Sequence, residues 1–183
     1  MNSRILICFG IANLGLISSA SAQYLGPADL VVSNGGEVQA QVVQWTGDPA
    51  DLNDLYFISD AGDMLIGSNR DWESGAPVVD LGNVASGDEM LFGLYNTDTG
   101  TWFYTGPGDR NPDGDIHALV TDLGNGSVRI DFEDLASYQG SDFNYGDGSI
   151  VVTGAHASAV PAPAALGAFG VGILGALRRR ARR

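Results

Sequence analysis

The chain has 183 residues, with 22 acidic side chains against nine basic ones, no lysine, and a formal net charge of −13. So acidic a chain is a poor partner for nucleic acid or anionic lipid, whose phosphates call for cationic side chains. With 44% hydrophobic and 9% aromatic residues it can bury a core, which excludes a disordered polyanion.

Residues 1–22 read as a secretory signal peptide. Arg4 supplies the positive start, ILICFGIANLGLI the apolar stretch, and Ala20-Ser21-Ala22 an A-x-A site for signal peptidase before Gln23. Cys8 is the one cysteine of the chain and falls inside this segment. The exported remainder therefore has no disulfide, and any staple must come from packing or a metal.

Residues 23–154 are expected to form one acidic domain, followed by a linker at 155–159. All 22 carboxylates fall in the domain, opposed only by Arg70, Arg110 and Arg129, a formal −19. Short runs of β-branched and aromatic residues, separated by Gly, Asn, Asp and Pro, predict strands. They lie at 31–32, 38–45, 55–58, 64–66, 77–81, 90–95, 101–105, 116–121, 128–132 and 149–153. Val128, Ile130 and Phe132 alternate with Arg129, Asp131 and Glu133, so one face of that strand is buried and the other wet. Asn96–Gly100 and Gly124–Gly126 read as hairpin turns. No body segment shows helical periodicity. The expected fold is all-β, an antiparallel β-sandwich of jelly-roll-like type. Trp45, Tyr56, Phe57, Phe92, Tyr95, Trp102, Phe103 and Tyr104 are divided by alternation between core and surface. Those on the surface are candidates for a sugar-stacking platform, although core packing accounts for most aromatic residues in such a fold.

Two acidic stretches carry the chemical signal. In the first, Asp109, Asn111 and Asp113 alternate, Gly114 follows, and Asp115 comes next. That is the opening half of an EF-hand loop, but Val120 stands at the twelfth position in place of Glu, and no helices flank it. The loop can hold calcium only if carboxylates from elsewhere close the shell. A hydrated Asp/Asn/Gly turn is the competing reading. In the second stretch, Glu133 and Asp134 end a strand, while Asp142, Asn144 and Asp147 precede the next. Hard oxygens from both segments can converge on one calcium ion, which takes 6–8 ligands.

The segment HALVTDLGNGSVRIDFEDLASYQGSDFNYGDGSIVVTG resembles the C-terminal part of an uncharacterised family of secreted bacterial domains. The likeness runs from about Leu91 to Gly154 and rests on Asp113, Asp115 to Ala118, Phe132 to Leu135, and Asp142 to Asn144. It implies a calcium-associated β-sandwich module. Gly140 and Tyr145 stand where that family carries aspartates.

Catalytic motifs are absent. His117, expected in a strand, and His156, expected in the linker, belong to no HExxH pattern, and there is no GxSxG. Glu37, Glu73, Glu89 and Glu133 supply carboxylates for glycoside cleavage, but no spacing selects a pair. The expectation is a protein that is not an enzyme.

The chain closes with Val160-Pro161-Ala162-Pro163, an apolar run at 164–177, and Arg178, Arg179, Arg180, Ala181, Arg182 and Arg183. The prolines favour extended backbone. The run is uncharged and rich in small residues, suited to a transient membrane helix with its arginines on the cytoplasmic side. In its order this tail, residues 160–183, resembles the PEP-CTERM sorting signal of exported bacterial proteins, with Ala162 at the place of the name-giving Glu. The resemblance implies a membrane-embedded exosortase as processing partner, with Val160, Pro161, Pro163 and Arg178, Arg179 and Arg180 as recognition positions. Delivery to the cell surface or extracellular matrix would follow. The expected role is structural or binding, in contact with exopolysaccharide; the alternative is a secreted glycan-binding or glycan-cleaving protein.

Overall fold

A computed structural model of the protein describes residues 29–45, 51–71 and 76–159. The expected signal peptide with Ala20 and Ala22, and the expected sorting tail with its helix at 164–177, lie outside the described residues. Among the described residues no helix is long and apolar enough to cross a membrane.

The described chain is all-β, with eleven strands in two antiparallel sheets and three single turns of 3-10 helix. The strands are β1 (Asp29–Ser33), β2 (Gly36–Gln44), β3 (Asn53–Ile58), β4 (Met64–Ser68), β5 (Val79–Val84) and β6 (Glu89–Asn96). They continue with β7 (Thr101–Tyr104), β8 (Ala118–Gly124), β9 (Ser127–Phe132), β10 (Gly148–Thr153) and β11 (Ala155–Ala159). One sheet runs β11-β1-β6-β3-β4, the other β5-β2-β10-β9-β8. In the first, β6 is the shared strand. β3 covers one edge, while β1 pairs with its start (Val31 opposite Met90) and β7 with its end (Asn96 opposite Thr101).

Alternation explains which side chains meet. Val38, Ala40 and Val42 of β2, Val128, Ile130 and Phe132 of β9, and Ile150 and Val152 of β10 turn inward from one sheet. Val31 of β1, Leu55 and Phe57 of β3, Met90, Phe92 and Leu94 of β6, and Phe103 of β7 turn inward from the other, into the same apolar cluster. Each of these side chains larger than alanine contributes about 1.5–3 kcal/mol of burial, so a shared core of this size makes one β-sandwich-like unit of the two sheets.

The hairpin turns form where expected. Asn96 Oδ1 accepts the backbone N–H groups of Asp98 and Thr99, and Gly100 adopts φ +69° to enter β7. Two corrections concern the strands. The stretch 155–159 is not a linker but β11, paired along its length with β1 from Asp29↔Ala159 to Ser33↔Ala155. His156 accordingly sits in a strand, its Nδ1 2.8 Å from Asn34 Oδ1. His117 lies not within a strand but just before β8, because the preceding loop turns inward on its own hydrogen bonds.

A candidate cation site between the two sheets

The end of β9 delivers Glu133 and Asp134 into the interior, where they are 2% and 4% exposed. Backbone pairing holds them there. Glu133 N–H donates to His117 O at 3.0 Å, and Asp147 N–H donates to Phe132 O at 3.1 Å. Asp147, one residue before β10, turns its Oδ2 back to accept Asp134 N–H at 3.1 Å. One oxygen from each of Glu133, Asp134 and Asp147 lies within 4.8 Å of the other two.

The opposite sheet reaches the same place. Asn53 and Asn96 are register partners on β3 and β6, both buried. Asn53 Nδ2 donates to Asp134 Oδ2 at 2.6 Å, and Asn96 Nδ2 donates to Asp134 O at 3.2 Å. The cluster therefore spans the two sheets. Two buried acceptors in it have no hydrogen-bond partner, Glu133 Oε2 and Asn53 Oδ1. Each leaves a desolvated lone pair unsatisfied, at about 1–3 kcal/mol.

The electrostatics point the same way. Burial is the largest cause raising Asp147, and the charges of Asp134 and Glu133 push it further, to about 8. Burial also raises Glu133, a hydrogen bond from Ser141 opposing it and the charges of Asp142 and Asp134 adding to it. The donor set is all oxygen, three carboxylates and an amide carbonyl, and so matches a hard cation such as calcium better than a thiophilic metal. Imidazole is not in the set. His117 Nδ1 faces Glu133 O at 3.2 Å, and its Nε2 faces Asp113 Oδ2 at 3.0 Å. His117 thus holds the backbone of Glu133 in place, stacked on Phe103 with ring centroids 4.2 Å apart.

Of the nine residues singled out for a metal, Glu133, Asp134 and Asp147 come together in this way, with Asp142 near enough to add its charge to Glu133. Asp109 is exposed on a 3-10 turn. Asn111 uses both ends of its amide, accepting Tyr104 N–H at 2.7 Å and donating to Asp115 O at 2.8 Å. Asp113 accepts the N–H groups of Ser137 and Asp115 and faces His117. Burial works against its charge, but these hydrogen bonds outweigh it and hold the carboxyl down to about 2. This half-EF loop is closed by its own chain. Asp142 accepts from the backbone and side chain of Asn144, and Asn144 Oδ1 accepts Gly146 N–H. These turns let Phe143 and Tyr145 adopt positive φ, 50° and 54°. Tyr145 donates its hydroxyl to Ile116 O at 3.0 Å.

Sequence reasoning missed Asn53. It lies 81 residues from Asp134, and no local spacing connects them. The only available signal was a polar residue at an inward position of the strand preceding Leu55 and Phe57. No protein-family model matches the chain, and no curated protein or solved structure matches it.

Proposed function

We propose that the chain is an exported, exosortase-sorted protein of the cell surface or extracellular matrix. Its body is a jelly-roll-like β-sandwich with a structural or binding role, held together by a calcium ion between its sheets. Glu133, Asp134 and Asp147 supply the carboxylates, and Asn53 Oδ1 supplies a neutral oxygen from the opposite sheet. The single observation that carries the calcium reading is the pair of orphaned acceptors, Glu133 Oε2 and Asn53 Oδ1, inside a buried carboxylate trio. A cation offsets the repulsion and satisfies both oxygens at once. The jelly-roll description is supported by the winding, since the chain changes sheet between β1 and β2, β2 and β3, β4 and β5, β5 and β6, β7 and β8, and β10 and β11. Export and sorting are supported by residues 1–22 and 160–183, which flank a cysteine-free body.

Thermal melting of the full-length protein in calcium and in EDTA tests the cation. Calcium is expected to raise the melting temperature and magnesium to do less, and identical curves in calcium and EDTA would reject the site. Mass spectrometry of the protein recovered from the cell envelope tests sorting, with a mass lacking Arg183 expected and an intact C-terminus counting against processing.

A further inference from the structure

The aromatic residues divide cleanly between the two faces of the six-stranded sheet. Phe57, Phe92 and Phe103 are buried, whereas Tyr56, Tyr95, Trp102 and Tyr104 point outward from β3, β6 and β7 and are half-buried. Trp102 joins the other three, its ring centroid 5.2 Å from Tyr56, 4.9 Å from Tyr95 and 5.7 Å from Tyr104, with the Tyr104 plane parallel to within 2°. Gly93 makes this possible. A Cβ there would come 3.1–3.2 Å from the rings of Tyr104 and Trp102, so its absence lets both settle onto the sheet. Two open hollows of ≈ 430 and ≈ 440 Å³ adjoin the cluster, and Tyr104 and Arg110 line both. Glu89 and Leu91 complete the first; Trp102 and Tyr138, a tyrosine 69% exposed, belong to the second.

Charge selects the occupant. Two of the body's three arginines serve this face, and each is paired. Arg70 bonds Asp54, which precedes Tyr56 by one outward position, and Arg110 bonds Glu89 through both of its terminal nitrogens. Arg70 and Arg110 thus offset two of the carboxylates at this face, and Asp63 adds one negative charge near Tyr56 and Tyr104, on a domain whose formal charge is −19. A polyanion is repelled by the whole body, and a polycation is drawn to its unpaired carboxylates instead. A protein interface needs roughly 800 Å² per partner, mostly apolar at its centre, whereas these hollows are small and have the Arg110–Glu89 ion pair in their lining. What fits is a ligand with flat C–H faces for the rings and hydroxyl edges for the guanidinium and carboxylate. We propose that this face binds a neutral saccharide chain, with sugar rings lying against Trp102 and Tyr104 and hydroxyls hydrogen-bonded by Arg110 and Glu89. This binding surface is separate from the cation site and does not depend on it.

The test is calorimetric titration of the full-length protein with cellohexaose, xylohexaose and mannohexaose, with alginate as the polyanionic comparison. At least one neutral hexaose is expected to bind with a Kd below about 1 mM. Trp102→Ala and Tyr104→Ala are expected to weaken it at least about tenfold. Because either variant can perturb the sheet, Tyr138→Ala serves as the second probe. It lies at the rim of one hollow and is expected to weaken binding several-fold with an unchanged melting temperature. Failure of all three hexaoses to bind, tighter binding of alginate, or undiminished binding by both Trp102→Ala and Tyr138→Ala would overturn the proposal.

Discussion

Replacing Asp147 with Asn separates a cation site from an ordinary polar cluster, because the two readings give opposite signs. Asp147 takes part in two of the three close carboxylate pairs, all with oxygens within 4.8 Å. At an effective dielectric constant of about 20, each ionised pair at that distance repels by about 3–4 kcal/mol. Proton uptake caps the penalty, since Asp147 is raised from 3.8 to about 8. A folded-state value above the unfolded one contributes stability that is complete below about pH 4 and is lost as pH rises through about 8. In EDTA the wild type is therefore expected to be less stable at pH 8 than at pH 5. Asp147→Asn keeps an oxygen for Asp134 N–H and removes the charge. It should gain about 2 kcal/mol in EDTA at pH 8, or about 5–10 °C in a domain of this size. The same variant should lose the calcium response, which for the wild type at a hundredfold excess over Kd is about 2.7 kcal/mol. Melting followed by circular dichroism at both pH values, with calcium and with EDTA, measures all of this. If Asp147→Asn melts below wild type in EDTA at pH 8, or keeps the full calcium shift, the reasoning fails.

Other substitutions test the surrounding architecture. Asn53→Ala strips Asp134 Oδ2 of its donor and should lower stability by about 1–3 kcal/mol while weakening the calcium-induced shift, as seen in paired melts. Asp113→Asn should flatten the acid limb of the pH–stability curve. The native carboxyl, held at about 2, contributes stability above about pH 4 that disappears as pH falls toward 2. Urea unfolding between pH 2 and 5 reads this directly, and an unchanged acid limb would count against the Asp113–His117–Ser137 network. Phe132→Ala, at a fully buried position on β9, should cost about 3–5 kcal/mol. A loss below 1 kcal/mol in the same unfolding assay would mean that the two sheets do not share the core described.

Local pattern was enough to find ten of the strands and to orient several of them, because inward and outward side chains alternate along each. It was not enough for β11. Ala155, His156, Ala157, Ser158 and Ala159 include no β-branched or aromatic residue, and they become a strand because the free edge of β1 pairs with them. The acidic loops misled in the same way. Alternating Asp and Asn at 109–113 looks like an array of ligands, yet the same short side chains also bond their own backbone, and in Asn111 and Asp113 that use prevails.

From the sequence alone come the all-β class, the excess of buried-face aliphatics, the strongly acidic body without cysteine, and the expectation of signals at 1–22 and 160–183. These depend on residue type and near-neighbour spacing, which a linear reading contains. Tertiary structure decided the sheet order, the placement of the Trp102 and Tyr104 rings over Gly93, and the arrival of Asn53 from the opposite sheet at Glu133, Asp134 and Asp147. Each of these depends on contacts between residues far apart in the chain. Such contacts are selected by the burial of a common core, and no local spacing of residues records which strands will be brought together.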